Sequence, residues 1–200
     1  MPRRTGVALV AVVVVAAAVV LVVRAGGGGK GLAPEAGTGQ VATVAAGVSV
    51  VPEAQRRPLP AFTGQTLDDQ EIDLAALRGR PLVLNFWSSW CGPCRAEQDG
   101  LELASKALAK RGARLIGVNI RDDRGAAASY LVEFGVGSPS LFDRPAVLSA
   151  RLGALGPQAP PYTLVVDADG RVAARVFGGL PGGEPKRQAA LLTDLVERVT

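Results

Sequence analysis

The apolar positions fall into three patterns along the chain. Gly6 to Val23 is an unbroken apolar run of 18 residues. As a helix it spans about 27 Å, enough for the hydrocarbon core of a bilayer. Residues 25–54 carry four consecutive glycines at 26–29, then Pro34 and Gly37, the composition of a flexible tether. Within them, Val41 to Val51 alternates small and apolar residues and can lie extended against the C-terminal domain. From residue 55 to 200, short apolar runs alternate with amphipathic stretches, the signature of an α/β domain.

The elements of that third region can be placed. Glu71 to Leu74 reads as a short strand, and Leu74 to Leu77 as a helical turn ended by Gly79. Pro81 to Trp87 (PLVLNFW) and Arg114 to Ile120 (RLIGVNI) are apolar without alternation, as in strands buried on both faces. Between them, residues 92–110 form a helix with Glu97, Leu101, Ala104 and Leu108 on one face. Asp122 or Asp123 caps a second helix that covers Ala127, Leu131 and Phe134 and ends at Gly135. Tyr162 to Val166 and Arg171 to Phe177 are strands joined by Asp167-Ala168-Asp169-Gly170, a hairpin turn signal. Glu184 to Val199 closes the chain as a helix with Leu191, Leu192, Leu195 and Val199 inward. The order is βαβ, helix, β-hairpin, helix, with the βαβ strands parallel.

Composition narrows the function. Residues 1–51 hold Arg3, Arg4, Arg24 and Lys30 against Glu35. From totals of 22 basic and 18 acidic residues, 18 and 17 remain for 52–200, a net of +1. The folded part therefore has no nucleic-acid footprint. The two arginines ahead of the apolar run place the N-terminus inside and the rest outside. Residues 1–24 read as a signal anchor in the cytoplasmic membrane, spanning through 6–23. The competing reading is a secreted protein, with the signal cleaved near Val23-Arg24-Ala25. The chain has no histidine. That excludes Ser-His-Asp and Cys-His catalysis and any His-ligated zinc or copper.

The chemistry lies in Trp90-Cys91-Gly92-Pro93-Cys94, which holds the only two cysteines. Four-cysteine zinc is impossible with two, so no metal and no cofactor are expected. Cysteines at i and i+3 at a helix start approach closely enough to bridge. Cys91, at the helix N-terminus, meets free N–H groups and the positive end of the dipole, which lower a thiol pKa. Cys94 lies one turn inside and is more shielded. Cys91 is thus the attacking thiol and Cys94 the resolving one. Pro93 fits a first helical turn, where its missing N–H has no partner to lose.

The stretch Asn85-Phe86-Trp87-Ser88-Ser89-Trp90-Cys91-Gly92-Pro93-Cys94-Arg95-Ala96-Glu97 resembles the active site of TlpA/ResA-type membrane-anchored thiol–disulfide oxidoreductases, of the thioredoxin-like superfamily. The resemblance covers about residues 55–200. It implies a thioredoxin-like α/β fold, a central mixed β-sheet flanked by helices, here preceded by the N-terminal transmembrane helix. It implies that Cys91 and Cys94 are the redox pair and that Glu97 is a catalytic carboxylate beside the resolving cysteine. The inward face shared with Leu101 and Ala104 supports that placement, and a partly buried carboxylate can exchange protons with Cys94. Ala159-Pro160-Pro161-Tyr162 resembles the cis-proline segment of these domains, with Pro161 as the cis residue. Trp90, Gly92, Pro93, Pro161 and Tyr162 are then the substrate-binding residues, with substrate adding as a strand. Pro160 departs from the family, which has a residue with a free N–H there. Asp99 departs too, standing where the family commonly has a helix-bending proline.

The implied function is reduction of disulfide-bearing extracytoplasmic proteins, with an apocytochrome before haem attachment as one substrate, recharged by an unidentified electron donor in the membrane. Gly92-Pro93 is the dipeptide of thioredoxin, whose potential lies at about −270 mV, and favours a reductant over an oxidant. Three alternatives compete. A peroxide-reducing antioxidant redoxin places a Thr or Ser behind a proline a few residues before its Cys, which Trp87-Ser88-Ser89-Trp90 does not match. A copper chaperone on this scaffold needs a distal histidine. A non-catalytic binding module has no use for two cysteines.

Overall fold

The computed structural model describes residues 42–200. The Gly6 to Val23 run and the proposed anchor lie outside the described residues. Among those described, no helix is long and apolar enough to cross a membrane.

Strands β6 (Leu82–Trp87) and β7 (Arg114–Ile120) pair in parallel, and β8 (Ser140–Asp143) adds to β7 in parallel. On the other side, β9 (Tyr162–Val166) pairs antiparallel with β6, and β10 (Arg171–Phe177) antiparallel with β9. Two strands from the region ahead complete the sheet, β1 (Ala42–Ala45) and β2 (Val48–Val50), giving the order β1-β2-β10-β9-β6-β7-β8. The short β3 (Arg57–Pro58) pairs with the start of β10. A separate hairpin, β4 (Thr63–Gln65) with β5 (Glu71–Asp73), packs alongside. This is a mixed sheet with helices, the thioredoxin-like α/β architecture.

The sheet's two faces explain its sequence. Every residue of β6 is buried. Val83 joins a core with Leu101, Ala104 and Leu108 of helix α1 (Gly92–Ala109) and Leu192, Leu195 and Val196 of helix α4 (Pro185–Glu197). Leu84 and Phe86 point the other way, with Ile116, Val118, Leu164, and Leu148 and Leu152 of the short helix α3 (Val147–Leu152). A strand covered on both sides needs no polar alternation. Helix α2 (Arg124–Glu133) starts at Asp123, whose carboxylate accepts from the N–H groups of Gly125 and Ala126 at 2.9 and 3.0 Å, and Gly135 turns the chain away with φ 59°.

Two differences from the sequence reading have physical causes. Residues 42–50, grouped with the tether up to 54, are strands. They are the extended form allowed for Val41 to Val51, held by β10 pairing Val48 with Val176 and Val50 with Ala174. Strand β8 and helix α3 escaped notice because each is short and hemmed by Pro139 and Pro145. Helix α1 runs unbroken through Asp99-Gly100. Gly100 serves packing there, since a Cβ would lie 2.7 Å from the Gln188 Cβ on α4.

Candidate active site

The chain leaves β6 buried and turns through Ser88-Ser89-Trp90 into α1. Cys91 is the N-cap of that helix, and its Sγ accepts from the Cys94 N–H at 3.2 Å. The two cysteines form a disulfide, with Cα atoms 5.3 Å apart. Their exposures are 3% and 1%, so access barely distinguishes them. Their surroundings do: Cys91 faces helix N–H groups, while Cys94 faces the interior.

The turn ahead of Cys91 is pinned to the loop after β7. Ser88 Oγ donates to the Ile120 carbonyl at 2.6 Å. Ser89 donates to the Asp122 carboxylate through its N–H at 2.6 Å and its hydroxyl at 2.8 Å. Asp122 also accepts from Asn119 Nδ2 at 2.8 Å and the Asp123 N–H at 2.9 Å. Burial alone pushes the Asp122 carboxyl up, but these donors outweigh it and hold it below the usual carboxylate range. Trp90 is 60% exposed, with its Nε1 donating to the Arg121 carbonyl at 3.0 Å. With exposed Gly92 and Pro93 it forms the rim of the disulfide.

Beneath Cys94 lies Glu97, 1% exposed. Its Oε1 accepts from Asn85 Nδ2 at 3.0 Å, and its Oε2 from the Leu180 N–H at 2.7 Å. Asn85 Nδ2 also donates to Thr163 Oγ1 at 3.1 Å. Burial pushes the Glu97 carboxyl up to about 7, because the two donors offset only part of the lost hydration. Tyr130 of α2 closes the other side. Its hydroxyl lies 3.1 Å from the Cys94 carbonyl and 3.2 Å from Gln98 Oε1, and its ring stacks on Trp87 at 4.5 Å.

The Pro160–Pro161 peptide bond is cis and leads into β9. Tyr162 pairs with Phe86 near the end of β6, so this segment lies at the sheet end that carries Cys91. The Arg121 guanidinium donates to the Gln158 carbonyl at 3.1 Å, tying the two loops together. Tyr162 is not at the surface. Its side chain is 2% exposed, its hydroxyl donates to the Leu155 carbonyl at 2.8 Å, and its ring meets Phe86 and Phe177 edge-on. Strand addition, as expected from the sequence, calls on the backbone of this segment and not on the Tyr162 ring.

The sequence profile of the AhpC/TSA family matches residues 56–175. The chain belongs to the AhpC/TSA family. Within it, the curated relatives include thiol:disulfide interchange proteins DsbE. That of Yersinia pestis is 37% identical over 62% of this chain and 64% of its own length. That of Escherichia coli K12 is 36% identical over 62% of this chain and 65% of its own. The chain thus spans somewhat under two thirds of these relatives. Among solved structures, a DsbF homologue from Corynebacterium diphtheriae superposes with a TM-score of 0.68 at 25% identity, over 86% of this chain and 99% of that one. A secreted Mycobacterium tuberculosis disulfide oxidoreductase homologous to E. coli DsbE gives 0.57 at 28%, over 66% and 95%. These likenesses bear out the resemblance to TlpA/ResA-type proteins.

Asn85, Asp122, Arg121, Tyr130 and Leu180 also build this AhpC/TSA-family site, and sequence reasoning did not single them out for it. Asn85 left a signal, as a lone polar residue inside an apolar strand. Asp122 was read only as a helix cap. Leu180 acts through its backbone, which no side-chain pattern reveals.

Proposed function

We propose that this chain is an extracytoplasmic thiol–disulfide oxidoreductase that reduces protein disulfides through Cys91 and Cys94. The observation that carries the reading is the Cys91–Cys94 disulfide at a helix N-cap above a buried, readily protonated carboxyl. The DsbE and secreted neighbours support both the activity and the compartment. The apolar run at 6–23 supports anchoring in the cytoplasmic membrane.

In the reduced enzyme the Cys91 thiolate attacks one sulfur of a substrate disulfide. The substrate S–S bond breaks, the first substrate thiolate leaves and takes a proton from water, and a mixed disulfide joins Cys91 to substrate. The Cys94 thiol passes its proton to the Glu97 carboxylate and attacks Cys91 Sγ. The second substrate thiolate departs and is protonated, and the enzyme is left with the disulfide seen here. A dithiol donor, which we place in the membrane, returns the two electrons. Glu97 acts well near neutral pH because a carboxyl at about 7 is populated in both forms there. Substrate docks over Trp90, Gly92, Pro93 and the Pro161 segment. Tyr162 contributes from below by holding that segment. Pro160 supplies no N–H, so a docked strand finds only an acceptor there. By resemblance to TlpA/ResA-type proteins, an apocytochrome awaiting haem is among the substrates.

A peroxidatic reading, which the family label invites, gains nothing from the turn. Both hydroxyls ahead of Cys91 are committed, Ser88 to Ile120 and Ser89 to Asp122.

The deciding experiment equilibrates the full chain with dithiothreitol or glutathione buffers and reads the Cys91–Cys94 couple. A potential at or below about −250 mV is expected of a reductant. A value of about −120 mV would reverse the direction of electron flow, and the lack of a reversible two-electron couple would end the proposal.

A further inference from the structure

Glu97 is covered by a segment whose own support comes from the far end of the chain. Between β10 and α4 the chain runs Gly178-Gly179-Leu180-Pro181-Gly182-Gly183, with positive φ at Gly178, Gly182 and Gly183. Such a stretch has no secondary structure to hold it and little side-chain bulk to anchor it. Yet Leu180 is buried, and its backbone is tied on both sides. Its N–H donates to Glu97 Oε2 at 2.7 Å, and its carbonyl accepts from Gln188 Nε2 at 3.1 Å. Gln188 sits on the first turn of α4, is itself buried, and among the described residues its Oε1 finds no hydrogen-bond partner. Its amide is therefore held by the one bond to Leu180. Gly100 makes room for it, since any Cβ at that position would stand 2.3 Å from Gln188 Oε1. Gly179 completes the cover, with the position of its missing Cβ 3.8 Å from Glu97 Oε2 and 4.0 Å from the Pro93 Cβ.

We infer that Gln188 is a positioning residue for Glu97: through the Leu180 backbone it holds the 178–183 segment shut over the carboxyl, so that the C-terminal helix governs water's access to the proton-exchanging group. The inference rests on the role proposed above for Glu97. The groups facing Glu97 can be named element by element. Asn85 of β6 donates to it, Thr163 of β9 shares that amide, and Tyr130 of α2 feels its charge. Tyr130 is the titratable neighbour, its hydroxyl pushed up by burial and by the Glu97 charge. Arg95 and Glu133, ion-paired with each other, bear on Tyr130 from beyond. Gln188 bonds to none of these directly, its amide donating to the Leu180 carbonyl. Burial is the largest influence on Glu97 and outweighs its donors. Opening the cover therefore returns the carboxyl toward its ordinary value, even though the Leu180 bond is lost.

The test reads the Glu97 side-chain carboxyl directly, by carbon NMR titration of the oxidised full chain, which needs no substrate and no turnover. Gln188→Met keeps the volume and removes the donor. Its Glu97 midpoint is expected to fall by a pH unit or more, a tenfold change in the ratio of ionised to neutral carboxyl at a given pH. Leu180→Ala thins the cover without touching Gln188 and is expected to lower the midpoint as well. Thr193→Val alters α4 at a hydroxyl that donates only to the Ala189 carbonyl, and should leave the midpoint in place. An unmoved or raised midpoint in Gln188→Met overturns the inference. So does an equal fall in Thr193→Val, because mere loosening of the helix would then suffice. Should Gln188→Met not fold, a fall in Gln188→Leu stands in its place, and no fall there is equally fatal. Any of these failures leaves the oxidoreductase reading standing, since that reading is tested by the redox couple and does not depend on Gln188.

Discussion

Two buried carboxylates flank the disulfide, and they have opposite fates. Neither faces bulk water, Asp122 being 5% and Glu97 1% exposed. Two things separate them: Glu97 lies deeper in the protein, and Asp122 has more donors. Asp122 accepts four hydrogen bonds, two from backbone N–H groups and two from side chains, and its carboxyl is held below the ordinary range. Glu97 accepts two and is pushed up to about 7. The first is charged at neutral pH and serves as a fixed peg for the turn ahead of Cys91. The second loses and gains its proton near neutrality, beneath Cys94. Depth sets the cost of a charge and donors offset it, and Glu97 has both the greater depth and the fewer donors.

The largest expected effect comes from removing the peg. Asp122→Ala leaves the buried Asn119 amide without an acceptor and frees the half-buried Ser89 and Asp123 N–H groups that fix the turn. Unsatisfied buried donors and a broken charged network cost on the order of 3 kcal/mol or more. Urea unfolding of the oxidised protein at pH 7 should show that loss, with a slower attack by Cys91 on a model disulfide because the turn has lost its anchor. A loss under 1 kcal/mol would mean that the Ser88 and Trp90 bonds hold the turn unaided.

Next comes the pH dependence of stability, where the two carboxylates should differ in sign. The Glu97 carboxyl stands at about 7 in the fold against an ordinary 4.5. The neutral form is thus the one the fold favours. Its contribution is complete below about pH 4.5 and is lost as pH rises through 7, amounting to about 3 kcal/mol by pH 8. Asp122 runs the other way, stabilising above its unfolded value of about 3.9 and failing only in acid. Glu97→Gln has no proton to lose, so its unfolding free energy should fall less than that of the parent between pH 5 and pH 8. Equal slopes for the two would show Glu97 already ionised in the fold. The same variant should slow release of substrate from the mixed disulfide at pH 7 by roughly 10²-fold, the scale of a lost proton acceptor.

Much of this contrast was legible in the sequence, though not evenly. Glu97 could be placed because the helix repeat puts it on the face of Leu101 and Ala104, three residues after Cys94. Cys91 could be placed because a Cys-Gly-Pro-Cys run between an apolar strand and an amphipathic helix defines its own N-cap. Asp122 could be seen only as a cap residue, since its partners Ser89 and Asn119 reach it through tertiary folding that no local pattern encodes. The cover over Glu97 was invisible for a sharper reason. Glycines advertise freedom, while the bonds that fix Leu180 are made by its backbone. The N-terminal strands were half-read. Their alternation suggested extended chain, but a strand and a tether share that look until a partner such as β10 is found.

The smallest effects should separate the two sites most cleanly, because they remove one donor from each. Ser89→Ala takes the hydroxyl bond from Asp122 but leaves the Ser89 N–H, Asn119 and Asp123 in place. The loss is one hydrogen bond to a charged group, about 1.5–3 kcal/mol, and three donors still hold the carboxyl below its ordinary range. Asn85→Leu takes one of only two donors from Glu97 and puts an apolar group beside it. Its carboxyl should climb above about 7, because the remaining Leu180 N–H cannot offset the same burial. Titrating both carboxyls by carbon NMR in each variant reads the comparison directly. A Glu97 midpoint that stays near 7 without Asn85 would show that depth of burial, and not the count of donors, is what makes these two carboxylates differ.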